Sequence, residues 1–305
     1  MRRLRFVPEG GALVEVTCRT VHGRHLLRPS SALNDIIIGV LGRALRLYSV
    51  PICAYTFLSS HYHLLLDVND VRQLSNFMRY LNSNLAREVG RLVDWPDGIW
   101  SRRYQAVVVS QEEAAQIERL RYVLSNGCKE DLVGIPKEWP GVHAVRALVE
   151  DEIVEGHWFS RTLEYAARRR GEDFDRLRYA TRETVTLVPL PCWKDLSMEA
   201  WKRRVAGLVG EIEAEAAARR KRTGSQPLGL EAILSRHPHH RPARLKKSPA
   251  PLFHAIWKSV RKELYDLYAE FVAAFRQASE RLRAGDRNVA FPIGSFPPAL
   301  PFVGG

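Results

Sequence analysis

The chain has 305 residues, 46% hydrophobic and 9% aromatic, enough apolar surface for one large core or two ordinary ones, which argues against wholesale disorder. Its net charge of +12 favours a polyanionic partner, most often nucleic acid, and no apolar run approaches the roughly 18 residues that a membrane span needs. Cys18, Cys53, Cys128 and Cys192 stand singly with no C-x-x-C, which argues against a zinc ribbon or a disulfide framework and fits a reducing cytoplasm. Met1 to Phe6 is basic but lacks the apolar stretch of a secretory signal.

Residues 11–20 are rich in β-branched side chains and predict a strand. Ser30 and Ser31 offer an N-cap to a helix whose apolar run extends from Ile36 to Tyr48. Pro51 opens a strand from Ile52 to Leu58, and Ser59-Ser60 can turn it into a second, antiparallel one. In that second strand the period of two puts His61 and His63 on one face with Leu65 and Asp67, while Tyr62, Leu64, Leu66 and Val68 enter a core. Two imidazoles about 7 Å apart along a strand can both reach one divalent ion. An H-x-H pair alone is more often two polar residues on a wet face, so the reading needs further residues to converge there.

Leu74, Phe77, Met78, Leu81, Leu85, Val89 and Leu92 recur at helical spacing behind a capping box of Asp70 and Gln73. Asp97-Gly98 is a turn, and the segment Trp100 to Tyr104 leads into a strand over Gln105 to Val109. Ser110 and Glu113 predict a capping box for a helix that Gly127 ends after Asn126. The order strand, helix, strand, strand, helix, strand, helix predicts an α+β, ferredoxin-like domain with one extra helix and with the histidine strand central in its antiparallel sheet.

On the helix after Ser110, Ala114, Ile117, Leu120 and Leu124 form the expected buried stripe. Glu118, Tyr122, Asn126 and Lys129 form a polar stripe nearly opposite. An exposed tyrosine flanked by Arg119, Arg121 and Lys129 suits attack on phosphate, since cations ease phenolate formation and attract the backbone. The commoner fate of such a residue is an amphipathic surface position.

Together, His61-Tyr62-His63, the helix Leu74 to Leu92, Trp100-Ser-Arg-Arg-Tyr104 and Arg121-Tyr122-Val-Leu-Ser-Asn126 resemble the single-tyrosine HUH transposases. The similarity is to the REP-associated tyrosine transposase branch of the IS200/IS605-like group, over roughly residues 1–135. The resemblance implies that His61 and His63 are metal ligands, that Asn126 completes or supports the metal shell and that Tyr122 is the nucleophile. It implies Mg²⁺ or Mn²⁺, no nucleotide cofactor, and single-stranded DNA, often beside a hairpin, cut through a 5′-phosphotyrosine with release of a 3′-hydroxyl. It also implies a bacterial, nucleoid-associated protein of the cytoplasm. One departure follows Asn126, where the family usually continues Pro-Val-Arg-Ala-Gly and this chain has Gly127-Cys128-Lys129-Glu130-Asp131. The polar stripe lets Tyr122 meet His61 and His63 of its own chain or of a second subunit, so monomer and homodimer both stay open.

In the second half, Trp158-Phe159, Leu163 and Ala166-Ala167 suggest a short helix, and residues 198–222 a long one. Residues 216–247 carry nine Lys or Arg against a single Glu, and the proline-broken part from Leu234 to Lys247 reads as a loop that tracks a phosphate backbone or as a solvated connector. The expected DNA contacts are Arg102, Arg103, Arg119, Arg121 and Lys129 in front, and Arg236, Arg241, Arg244, Lys246 and Lys247 in this loop. His237, His239 and His240 are a weak metal signal. Pro249 and Pro251 start a long helix through Arg283, buried along Phe253, Ile256, Trp257, Val260, Leu264, Leu267, Phe271 and Phe275. The expected division is a nuclease domain over 1–149, a helical DNA-binding accessory domain over 150–290 and a Pro-rich tail over 291–305. Two other readings compete: a catalytically silent, host-adopted protein that binds structured DNA, and an RNA-binding module, which would want exposed aromatics on the central strands.

Overall fold

Alternating side chains build β1 (Ala12–Arg19), and the mainly apolar runs of β2 (Ile52–Leu58) and β3 (His61–Val68) follow after α1 (Ser31–Tyr48). The computed structural model describes residues 3–171, 175–243 and 251–298. After β3 come α2 (Val71–Leu92), β4 (Gln105–Val109) and α3 (Glu113–Lys129). The main sheet runs β2-β3-β1-β4, each pair antiparallel, which is the ferredoxin-like arrangement. The strand of His61 and His63 is central in it, with Thr17 and Arg19 of β1 opposite His63 and His61.

The helix starts are set by local hydrogen bonds. Ser30 Oγ accepts from Leu33 N at 3.2 Å to cap α1, and Asp70 Oδ1 accepts from Arg72 N and Gln73 N at 2.6 and 2.7 Å to cap α2. The capping box expected for α3 does not form: Ser110 Oγ donates to Glu112 at 2.6 Å instead, and the helix begins at Glu113. Nor does Gly127 stop α3. It lies buried inside the helix against Val133, and the chain turns at Asp131, whose φ is 50°.

The remaining chain is α4 (Val145–Val149), β5 (Val154–Phe159), α5 (Arg161–Arg169), β6 (Ala180–Val185), α6 (Met198–Thr223), α7 (Leu230–Ser235), β7 (Phe253–His254) and α8 (Lys258–Arg283). It is mainly helical but carries strands that the sequence reading did not contain. Trp158 and Phe159 end β5, which pairs antiparallel with β6 across the intervening α5, and this two-stranded sheet is seated on α1. Glycines permit that seating: a Cβ on Gly39 would stand 2.1 Å from the His157 carbonyl, and one on Gly156 would stand 2.4 Å from the Asp35 carbonyl oxygen. Trp201, Val205, Leu208 and Val209 of α6 share one buried cluster with Val14, Leu64 and Leu120, so the core continues across residue 150.

The helix expected from Pro249 starts only at Lys258. Before it, β7 pairs in parallel with β4, giving Val108 N and Ser110 N carbonyl acceptors at 3.0 and 2.9 Å. Those amides lie on the sheet edge and would otherwise lack a backbone partner. The expected buried face of this helix is largely open. Phe253 is buried in β7, whereas Trp257 is 66% exposed and Leu267 is 44% exposed. Phe6 packs against Phe253, Tyr268 and Phe271 and ties the N-terminal segment to α8. Among the described residues, no helix is long and apolar enough to cross a membrane.

Candidate active site

His61 and His63 lie on the same face of β3, with ring centroids 5.2 Å apart and planes at 78°. Helix α3 covers that face and is pinned to β2 by the buried Thr56 hydroxyl, which donates to the Val123 carbonyl at 2.7 Å. With Leu120, Val123 and Leu124 facing inward, Tyr122 comes edge-on to His63 of the same chain, with centroids 5.4 Å apart. Tyr62, on the opposite face of β3, is fully buried and donates to Asn82 Oδ1 at 2.6 Å, so it offers no stacking platform for a base.

Tyr122 is half-buried rather than exposed. Burial, and then the Glu15 carboxylate, raise its phenol above the usual tyrosine range, while Arg119 pulls the other way. The expectation that the neighbouring cations would leave a net ease of ionisation is thus corrected: desolvation outweighs them. The cations are in place nonetheless, the Arg119 guanidinium 4.9 Å and the Lys129 ammonium 4.5 Å from the ring centroid.

Asn126 departs from its expected exposed stripe. It is only 3% exposed, and its Nδ2 donates to the Tyr122 carbonyl at 2.8 Å, so only Oδ1 is of the kind that ligates a metal. The reason is that the last turns of α3 are buried: Gly127 and Cys128 are enclosed as well.

Burial, followed by the charges of His63 and Arg19, holds His61 well below the usual imidazole range, which keeps a lone pair for a metal at neutral pH. The Nδ1 of His63 lies 2.9 Å from Glu15 Oε1 and 3.0 Å from Thr17 Oγ1, both on β1. Glu15 Oε2 accepts from Arg119 at 2.7 Å. Burial pushes the Glu15 carboxyl up, but the His63 hydrogen bond and the charges of His63 and Arg119 outweigh it and leave Glu15 below the usual carboxylate range. The sequence reading passed over Glu15 and Thr17. Their signal was Glu15 as the single acid of an apolar strand, two residues from a threonine on the same face.

Among the described residues, no set of three or more His, Cys, Asp or Glu side chains gathers to hold a metal. Two imidazoles alone could hold a divalent ion only with oxygen donors beside them, and on this chain the amide oxygen of Asn126 is of that kind.

The expected DNA contacts divide. Lys129 is exposed above the Tyr122 ring, and Arg119 is held by Glu15. Arg121 turns to α6, in ion pairs with Glu211 and with Glu215 at 2.9 Å, so it does not face Tyr122 as expected. Arg102 and Arg103 are exposed beside the His61 end of the sheet, where Ser101 N donates to the Arg19 carbonyl at 2.9 Å, and Arg103 donates to the Arg3 carbonyl at 3.1 Å. Arg236 and Arg241 are exposed on a loop fixed at His239, whose Nε2 lies 2.6 Å from the Val93 carbonyl, and at His240, whose carbonyl accepts from His25 N at 3.2 Å. Leu27 N donates to the Ser59 carbonyl at 2.9 Å, so this loop docks next to the turn that begins the histidine strand. Arg244, Lys246 and Lys247 lie outside the described residues.

No protein-family model matches the chain, and no curated protein does. Seven solved chains are similar to it, two of them as follows. One is a REP-associated tyrosine transposase bound to a REP hairpin, 15% identical, with 47% of this chain and 82% of that one covered at a TM-score of 0.38. The other is a candidate transposase from Deinococcus radiodurans R1, 19% identical, with 39% of this chain and 95% of that one covered at a TM-score of 0.29.

Proposed function

We propose that the chain is a metal-dependent endonuclease and strand transferase for single-stranded DNA, a transposase with Tyr122 as its nucleophile. The observation that carries this reading is the meeting of Tyr122 with His63, at 5.4 Å between ring centroids, beside a second histidine on the same strand face. A structural tyrosine on this helix would have no need of an imidazole and two cations around it.

The Tyr122 oxygen attacks a backbone phosphorus, forming one P–O bond while the bond to the 3′-oxygen breaks. The phenol's proton goes to the departing 3′-oxygen, leaving a 5′-phosphotyrosine and a free 3′-hydroxyl. The exchange is one phosphodiester for another, so no nucleotide is consumed, and attack by a second strand's 3′-hydroxyl returns the DNA to continuity and the proton to Tyr122. Because burial holds the phenol above its usual range, Arg119 and Lys129 are needed at the ring to stabilise the charge that develops there.

His61 and His63, with Asn126 Oδ1 as a third donor, would hold Mg²⁺ or Mn²⁺. When bound, that ion supplies Lewis-acid polarisation of a non-bridging phosphate oxygen. Lys129 stands over the Tyr122 ring, and Arg102 and Arg103 lie exposed at the His61 end of the sheet; these, with the exposed Arg236 and Arg241, would meet the approaching backbone, and by sequence Arg244, Lys246 and Lys247 would add charge for a flanking hairpin.

The test is a labelled single-stranded oligonucleotide carrying a hairpin, incubated with protein and Mn²⁺ or Mg²⁺ and resolved under denaturing conditions. A covalent adduct should form, chelation should prevent it, and Tyr122→Phe should abolish it while binding persists. An adduct that survives Tyr122→Phe removes the assigned nucleophile. Binding without any adduct returns the chain to the silent DNA-binding reading.

A further inference from the structure

Glu15 is the single acid of β1 and is only 3% exposed, in the centre of a sheet. An apolar side chain there would serve the core at least as well, because buried ion pairs rarely repay their desolvation. Its place needs another explanation, and its two oxygens supply one. Oε1 accepts from His63 Nδ1 at 2.9 Å, with Thr17 Oγ1 packed 3.0 Å from the same nitrogen. Oε2 accepts from Arg119 at 2.7 Å, and that guanidinium lies 4.9 Å from the centroid of the Tyr122 ring.

With the carboxylate on Nδ1, the hydrogen of the imidazole sits on that nitrogen and Nε2 is left with its lone pair. The ring also loses its freedom to flip, since a flip would exchange the nitrogen facing Glu15 for a carbon. Through its other oxygen the same carboxylate sets the height of Arg119 over the phenol. Among the described residues His61 has no carboxylate partner of this kind, and its Nδ1 lies 3.1 Å from the hydroxyl of the adjacent Ser60. The two histidines are therefore supported unequally, His63 by a buried charge and His61 by a turn residue.

We propose that Glu15 is a positioning residue for the metal centre, fixing His63 with Nε2 free for the ion and, through Arg119, holding that ring in register with Tyr122. The proposal rests on the reading of His61 and His63 as metal ligands. A carboxylate behind a ligating histidine raises the basicity of the ligand and removes the cost of orienting it, and loss of such a partner weakens metal affinity by about 10- to 100-fold.

Two measurements on the full chain test it. Free Mn²⁺, read by its electron paramagnetic resonance signal during a titration, gives the affinity of the wild type, Glu15→Gln and His63→Ala. The amide of Glu15→Gln keeps the shape and an acceptor but not the charge, and the Mn²⁺ Kd should rise by about 10- to 100-fold. An unchanged Kd in Glu15→Gln, with binding lost in His63→Ala, overturns the role of Glu15 and leaves the metal site standing. No Mn²⁺ binding by the wild type, or full binding by His63→Ala, overturns the metal site and this proposal with it. The second measurement needs no altered core. Imidazole ¹H–¹⁵N correlations of metal-free wild type at pH 8, with His63 assigned by its loss in His63→Ala, should show the hydrogen on Nδ1. A hydrogen on Nε2 overturns the proposal even if Glu15→Gln fails to fold.

Discussion

Tyr122 and His63 belong to one chain and stand edge to face, 5.4 Å between centroids. If this pair is the working site proposed above, its nucleophile needs no partner chain. Mixing Tyr122→Phe with His63→Ala should therefore restore no covalent adduct above the level of either variant alone. Recovery of adduct in the mixture, read on a denaturing gel, would instead mean that helices are exchanged between subunits.

Thr56 governs where α3 sits. Its hydroxyl donates to the Val123 carbonyl at 2.7 Å inside the core, one residue beyond Tyr122. Thr56→Val keeps the shape and leaves that carbonyl without its donor, at a cost of about 1–3 kcal/mol in urea unfolding. The same change frees the helix to shift against β3, so adduct formation should fall by more than single-strand binding does. Equal losses in both, measured on folded protein, would show that the bond acts on stability alone.

The two-stranded sheet on α1 is held by charge as well as by shape. Glu183 of β6 is buried and accepts from Arg43 at 2.8 Å and from Arg46 at 3.0 Å. Burial pushes its carboxyl up, but the two guanidinium groups outweigh this and hold it below the usual carboxylate range. The folded chain therefore releases this proton more readily than the unfolded one. The resulting stabilisation is full above the ordinary glutamate range near pH ~4.3 and is lost as pH falls through the lower folded value. Glu183→Gln should lower the melting temperature at pH 7 and should lose less stability than wild type on acidification. Parallel melting curves from pH 7 to 3 in both proteins would remove this assignment.

Arg236 and Arg241 are exposed on a loop fixed at His239 and His240, so their charges are held where a backbone can use them. If each neutralises one phosphate, changing both to Gln should flatten the salt dependence of single-strand binding by about 0.7 in logarithmic slope per residue. Adduct formation at saturating DNA should stay unchanged. An unaltered slope, read by fluorescence anisotropy across salt concentrations, would make this loop a connector.

The front half was legible because each element there carries its own period. The helical recurrence from Leu74 to Leu92 follows from one face being buried, and the alternation in His61–Val68 from two buried faces of different chemistry, one apolar and one carrying the histidines under α3. Helix α3 was less legible since it is enclosed from two sides. The sheet takes Leu120 and Leu124, while α6 takes Arg121 through Glu211 and Glu215, and the far end buries Asn126. A single apolar stripe cannot describe such a helix. Glu15 and Thr17 needed the cross-strand register to be seen, because their meaning comes from His63 lying opposite, 46 residues on from Thr17. Two residues of β7 carry no period at all.

That short strand has a bearing on any attempt to trim the chain. Phe253 and His254 complete the hydrogen bonding of β4, and Glu112, at the head of α3, accepts from Ile256 N and Trp257 N at 3.0 Å each. A fragment ending before residue 250 would keep every residue assigned to chemistry yet carry a raw β edge and a slackened helix start. Raw edges seek their like, so such a minimal fragment would self-associate through β4. The strand most distant in sequence from the histidines is thus part of what keeps them in an orderly sheet.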